Sequence, residues 1–181
     1  MSELSKFLPD ELWENCVFNG TWKNITPDVI PVMEPATGES LGSVGMANAA
    51  MVLEAARIAR SVQASWSDTS FEARAVIVRK AAEIAELHFD EIVEWLVRES
   101  GSTQLKAGFE TSVTIKALHE SATMPGQSQG DVLPNASGAR RLSLARRRPL
   151  GVVGIISPFN FPLYLAMRSS RLHWPPATAL Y

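Results

Sequence analysis

Residues 151–170 read GVVGIISPFNFPLYLAMRSS. The first half is a continuous run of apolar, largely β-branched residues, the pattern of a strand buried on both faces of a parallel sheet. SPFNFP follows at once, so it is expected at the carboxyl edge of that sheet, where open α/β folds hold their ligands. Asn160 is a polar amide in an otherwise apolar turn, and Pro158 and Pro162 restrict the backbone on both sides of it. Two readings follow. A fixed amide donor in a dry pocket stabilises an oxyanion; alternatively, Asn160 caps the helix that opens near Phe161 and Pro162. Spacing alone favours the cap. GVVG itself lacks the glycine spacing and the following lysine of a phosphate loop.

Upstream, the chain changes period twice. Residues 17–46 read as short strands and turns, with Asn19-Gly20 as a hairpin signal and Gly38 punctuating a second pair. From Asn48, placed to cap, Val52, Ala55, Ala56, Ala59, Val62 and Trp66 recur at helical spacing. A second helix is expected from Thr69, whose TSFE forms a capping box with Glu72, towards His88. A third is expected in DEIVEWLVRES, capped by Asp90 and stopped by Gly101, and a fourth from about Thr103 to Met124. Alanine-rich faces pack closely but supply little core alone, so this helical layer needs a later partner. GQSQGDVLPNASG reads as a polar surface connection, and ARRLSLARRRP as a half-exposed strand alternating Leu142 and Leu144 with Arg141 and Ser143.

The 181 residues suffice for one domain with a sizeable core, and 46% hydrophobic with 20% charged residues is a globular composition. A net charge of −2 and a pI near 5.9 give no reason to expect nucleic acid or an anionic membrane. The five arginines between Arg140 and Arg148 lack interleaved aromatics, so a solvated or subunit-facing strand is favoured over a nucleic-acid patch. The apolar run at 151–167 is short for a membrane span and carries Pro158, Asn160 and Pro162 at its centre. Cys16 is the single cysteine, so no intramolecular disulfide forms and a cytoplasmic, reducing compartment is expected. As a nucleophile Cys16 has no histidine near it in sequence, and His88 and His119 lack partners at metal-ligand spacing, so no metal site is expected.

These residues carry a resemblance. RRPLGVVGIISPFNFPL resembles the motif that opens the cofactor domain of the NAD(P)-dependent aldehyde dehydrogenase superfamily. FNGTW, EPATGESLGSVGMA, AARIARSVQASWS, EARAVIVRKAAEI and ESGSTQLKAGFE are similar to successive N-terminal blocks of that family, so the resemblance covers about residues 17–169. ISPFNFP and ESGS look closest to the bacterial benzaldehyde and vanillin dehydrogenase type. The implied fold is α/β, the N-terminal part of the family fold: small β-hairpins and a four-helix layer in residues 1–138, part of the oligomerisation hairpin in 139–149, and the first strand of a Rossmann-like parallel sheet in 150–169. The implied chemistry is oxidation of an aldehyde, of the aromatic class by the subfamily likeness, to the acid with NAD or NADP through a cysteine thiohemiacetal. The resemblance gives Asn160 the catalytic role of oxyanion donor over the cap, and lets Ile156, Ser157, Pro158 and Phe159 line the nicotinamide cofactor. It implies a small-molecule aldehyde and a homo-oligomer as partners, with neither nucleic acid nor membrane.

The family's cysteine, general-base glutamate and cofactor-ribose lysine all follow this motif and have no counterpart here, so the chain is expected to be truncated and inactive alone. A catalytically inactive helical interaction module, binding a partner through the helices and the arginine strand, is the alternative. Residues 170–181 depart from the family pattern. Read through their possible codons, His173-Trp174 must yield Leu and Trp174-Pro175 must yield Ala in a shifted frame, and the family's continuation reappears in register. A frameshift near Ser169 or Ser170 is therefore expected, with a divergent natural tail as the alternative.

Overall fold

A computed structural model describes residues 7, 9–135, 141–171 and 179–180. A short helix α1 (Asp10–Trp13) leads into two antiparallel hairpins, β1 (Cys16–Phe18) with β2 (Trp22–Asn24) and β3 (Val29–Met33) with β4 (Ser40–Gly45). Four helices follow: α2 (Ala49–Asp68), α3 (Phe71–Leu87), α4 (Phe89–Ser100) and α5 (Gln104–Ser121). A 3-10 turn at Met124–Gly126 leads to β5 (Gly130–Leu133), which pairs antiparallel with β6 (Ser143–Arg146). Then come β7 (Val152–Val153), α6 (Pro162–Arg171) and β8 (Ala179–Leu180), with β7 and β8 parallel. The architecture is α/β, as expected. Most of the tail after Arg171, residues 172–178 and 181, lies outside the described residues, as do 136–140.

The helix starts show what local chemistry fixed. Asn48 caps α2, its Oδ1 accepting from the Met51 amide at 3.0 Å. Thr103 caps α5 in the same manner through the Lys106 amide. The expected capping box at Thr69 moves by one residue: Ser70 Oγ accepts from the Ala73 amide, while the Thr69 hydroxyl donates back to the Ser65 carbonyl. Asp90 lies inside the first turn of α4, because the backbone of His88 already closes α3 and opens α4. Gly101 stops α4 at φ 66°, the left-handed conformation that a Cβ disfavours.

Helix α5 is the centre of the molecule. Ala107, Glu110, Thr111, Thr114, Ile115, Ala117, Leu118 and Ser121 are buried along it, and it packs against α3, α4 and α6. Small side chains let three helices approach one axis. Buried hydroxyls need acceptors, and they find them on their own helix: Thr111 donates to Ala107 O at 2.9 Å and Thr114 to Glu110 O at 2.8 Å. Val93, Leu96 and Ala107 join α4 to α5, and Leu163 of α6 packs on this cluster. Helix α2 stands apart from that core. Only Ala59 of the six periodic residues named for it is fully buried, whereas Val52 and Val62 are exposed; its neighbours are β7 and β8.

Three expectations for the second half are corrected. The polar stretch 126–138 is more than a connection, because Gly130–Leu133 is a strand whose register runs from Gly130 opposite Arg146 to Leu133 opposite Ser143. In β6 the alternation does not produce one covered face: Leu142 and Leu144 are exposed and Ser143 is half-buried, since nothing described packs on the hairpin's leucine side. The apolar run after Pro149 gives a strand of only two residues, both half-buried, and Ile156 is 98% exposed. A parallel strand is buried on both faces only when strands flank it and helices cover both sides; among the described residues β7 has β8 as its strand neighbour and α2 as its helix neighbour. No helix among the described residues is long and apolar enough to cross a membrane.

Candidate functional site

The turn that leaves β7 is pinned at its far end. Ser157 is half-buried and its hydroxyl donates to the Pro162 carbonyl at 2.6 Å. Pro162 is the first residue of α6, the position where a missing N–H and a fixed φ are tolerated. Phe161 O accepts from the Leu165 amide at 3.1 Å, which makes Phe161 the residue at which the helix begins to hydrogen-bond.

The next free amides of α6 are met by a side chain from another helix. Glu110 Oε1 accepts from Leu163 N at 2.9 Å and from Tyr164 N at 3.1 Å. Its Oε2 accepts from Lys106 Nζ at 2.8 Å, one turn earlier on α5. Lys106 Nζ also donates to Ser102 Oγ at 2.9 Å, and Ser102 Oγ lies 2.9 Å from Ser100 Oγ. The same ammonium stands 4.5 Å from the centroid of the Phe161 ring. Glu110 is fully buried. A buried carboxylate is tolerated where an opposite charge and several donors surround it, and a negative charge is favoured at a helix N-terminus.

This arrangement bears on Asn160 directly. The cap that spacing assigned to Asn160 is filled by Glu110, and the Asn160 residue is exposed at the head of the turn. Of the four residues expected at the cofactor, Ile156 and Phe159 are 98% and 89% exposed, Pro158 is exposed and Ser157 is half-buried. They stand together with Asn160 on one short segment between β7 and α6.

Two cavities flank α6 on opposite faces. Phe109 and Val113 of α5 with Phe161, Tyr164 and Leu165 line an apolar trough of about 280 Å³ next in chain to Asn160. Pro162, Leu163 and Ala166 face the other way, into a cavity of about 480 Å³ walled by Trp13, Trp22 and Trp95. Cys16 belongs to that second cavity. The helix therefore separates the lone thiol from the trough.

The two described histidines each meet a carboxylate: His88 Nδ1 lies 3.2 Å from Glu91 Oε2, and His119 Nε2 lies 2.8 Å from Glu86 Oε1. Among the described residues no group of three or more His, Cys, Asp or Glu could hold a metal ion. The sequence reading missed Glu110, Lys106 and the trough. A signal for the first two existed, namely a lysine and a glutamate four residues apart on a helix face shared with Ala107, Thr114, Ala117 and Ser121.

The aldehyde dehydrogenase family pattern matches residues 22–173. A vanillin dehydrogenase of an Amycolatopsis species is 45% identical over 174 residues, which is 96% of this chain and 35% of the relative. A benzaldehyde dehydrogenase [NAD(+)] of Pseudomonas putida is 38% identical over 93% of this chain and 34% of its own length. The crystal structure of an NAD-dependent benzaldehyde dehydrogenase from Corynebacterium glutamicum superposes with a TM-score of 0.84 at 34% identity, over 95% of this chain and 37% of that one. The chain thus spans about a third of the length of the relatives it matches and corresponds to the N-terminal part of their fold. It belongs to the aldehyde dehydrogenase family.

Proposed function

We propose that this chain carries the oxyanion-stabilising amide, and one wall each of the aldehyde and cofactor sites, of an NAD(P)-dependent dehydrogenase that oxidises an aromatic aldehyde to its acid. The observation that carries the reading is the Asn160 turn, clamped to α5 at Leu163 and Tyr164 and opening beside an apolar trough. Attack of a cysteine thiolate on an aldehyde carbon forms the C–S bond and moves the carbonyl electron pair onto oxygen. A donor held 2.7–3.1 Å from that oxygen lowers the barrier because its dipole is already oriented. Asn160 Nδ2 supplies that donor from a segment held by Pro158 and Pro162. Collapse of the oxyanion then releases hydride and leaves a thioester, which water hydrolyses to the acid.

Ile156 and Phe159 fit a flat cofactor ring, since both are large apolar side chains that the described residues leave bare beside half-buried Ser157. The nicotinamide, when bound, supplies the hydride acceptor. The trough suits an aromatic substrate body: Phe109, Phe161 and Tyr164 offer ring faces and edges, with Val113 and Leu165 filling between them. The names of the relatives, vanillin and benzaldehyde dehydrogenases, support the same substrate class.

The test is a chimera in which residues 22–169 of this chain replace the matching segment of the Amycolatopsis vanillin dehydrogenase. Asn160→Ala is expected to lower kcat by about 10²–10³-fold, the effect of deleting one oxyanion donor, with KM for vanillin little changed. Residues 1–181 alone serve as the control and turn over no aldehyde, since their single cysteine, Cys16, lies across α6 from the trough. A kcat for Asn160→Ala within about threefold of the parent chimera refutes the assignment.

A further inference from the structure

We infer that Glu110 is the positioning residue of the Asn160 turn. Resting on the proposed role of Asn160, the inference extends it to a residue three elements away in the architecture. Glu110 is fully buried in α5, yet no oxygen of its carboxylate is idle: Oε1 holds the first two free amides of α6, at Leu163 and Tyr164, and Oε2 holds Lys106. Lys106 is braced in turn by Ser102 and lies against the ring of Phe161, the residue next to Asn160. Ser157 closes the turn on its other side through the Pro162 carbonyl. The segment 157–161 is therefore fixed at both ends, and its helix end rests on one carboxylate.

The arrangement exceeds what packing requires. A helix start is ordinarily capped from its own N-terminal neighbour, by Ser, Thr, Asp or Asn. Here Asn160, of a capping type, stands two residues before Pro162, and the cap comes instead from a side chain 53 residues away in sequence. Supplying the cap from α5 leaves the Asn160 amide available for a ligand, and ties its position to the rigid central helix. Phe161 and Tyr164, which bound the trough, hang from the same fixed turn, so the donor and the substrate wall keep a constant relation. A displacement of about 1 Å in a positioned group costs on the order of 10²-fold in rate, which is the scale on which such an anchor acts.

The experiment uses the chimera described above and the four combinations of Glu110→Ala and Asn160→Ala. Glu110→Ala is expected to lower kcat by about ten- to a hundredfold with KM for vanillin little changed. In the Asn160→Ala background it is expected to change kcat by less than about twofold, because residues that act as one unit are not additive. Glu110→Gln retains an acceptor for the two amides but turns a donor toward Lys106, so it is expected to keep a kcat between those of the alanine variant and the parent, and it decides the question if the alanine variant does not fold. Backbone amide exchange in the same proteins gives a second readout: protection at Leu163 and Tyr164 falls selectively in Glu110→Ala, while that of buried α5 amides is retained. An equal loss of kcat in both Asn160 backgrounds, or no loss in the native one, overturns the inference. If Asn160→Ala itself leaves kcat unchanged, the oxyanion reading falls; the anchor is then judged by exchange, and unchanged protection at Leu163 and Tyr164 overturns it.

Discussion

Replacing Gly42 by alanine tests how the β3–β4 hairpin docks, and through it the wall beneath α6. Gly42 sits at φ 143°, beside the register shift between Val32 and Met33. An L side chain is carried into such a region at a cost of about 1–3 kcal/mol. A Cβ built on Gly42 lies 2.6 Å from Trp13 Cη2 and 3.3 Å from Cζ3. The indole is buried and stands edge-on to Trp95 with ring centroids 5.7 Å apart and planes at 89°, so it yields only by breaking that contact and moving into the cavity it walls. Forcing an extra carbon into a packed contact of this kind costs about 1–3 kcal/mol. Together the two effects give about 2–6 kcal/mol, a large share of the roughly 5–15 kcal/mol that stabilises a domain. Urea unfolding followed by tryptophan fluorescence reads the loss as a lower midpoint at unchanged slope. Trp13→Leu separates the two parts, because in that background only the backbone strain remains and the substitutions couple by about 1–3 kcal/mol. A cost for Gly42→Ala below about 0.5 kcal/mol, or the same cost in both backgrounds, refutes the reasoning.

Two carboxylates give opposite pH dependences. Burial against the apolar wall of the tryptophan cavity raises the Glu99 carboxyl above its ordinary value of 4.5, although its outer side stays open to solvent. The ionised form is the one disfavoured in the fold, so destabilisation appears as pH rises through 4.5 and is complete above the raised value. Glu99→Gln is therefore expected to raise the thermal midpoint at pH 7 by an amount worth less than about 1 kcal/mol, and an equal gain at pH 3.5 would count against this cause. Glu34 is held below the ordinary value first by the Thr37 hydroxyl, which donates to Oε2 at 2.7 Å, and also by Arg98 at 3.3 Å. Its contribution is present above the ordinary carboxylate range and is lost as pH falls through the lowered value. Thr37→Val is expected to shift acid unfolding to higher pH, and an acid midpoint equal to that of the parent contradicts it.

The local signals in the chain were read where one residue's chemistry decides the outcome. Asn48, Thr103 and Gly101 are such cases, since a side-chain acceptor or the absence of a Cβ fixes a helix end regardless of the surroundings. Thr69 and Asp90 were misplaced by one or two residues for the converse reason. Ser70 competes with Thr69 for the same cap, and the backbone of His88 serves two helices at once, which removes the need for Asp90. Strand signals failed where burial depends on partners. The apolar run after Pro149 specifies that a strand is possible, but whether Val153 or Ile156 is covered depends on neighbours that the run does not contain.

The candidate site shows the same division more sharply. Asn160 was visible because two prolines and two phenylalanines enclose it within six residues of sequence. Nothing within that window shows what its side chain is released from. Whether the start of α6 needs Asn160 as its cap is decided by Glu110, far away on α5, which meets the Leu163 and Tyr164 amides itself. A buried glutamate among Ala, Thr and Ser is costly unless it has several donors, so its presence on the inner face of α5 is itself a question about what it holds. Lys106 answers half of that question by spacing alone, and the amides of Leu163 and Tyr164 answer the other half only in three dimensions. The motif therefore places Asn160 in the turn, while the helix end of that turn is held from α5.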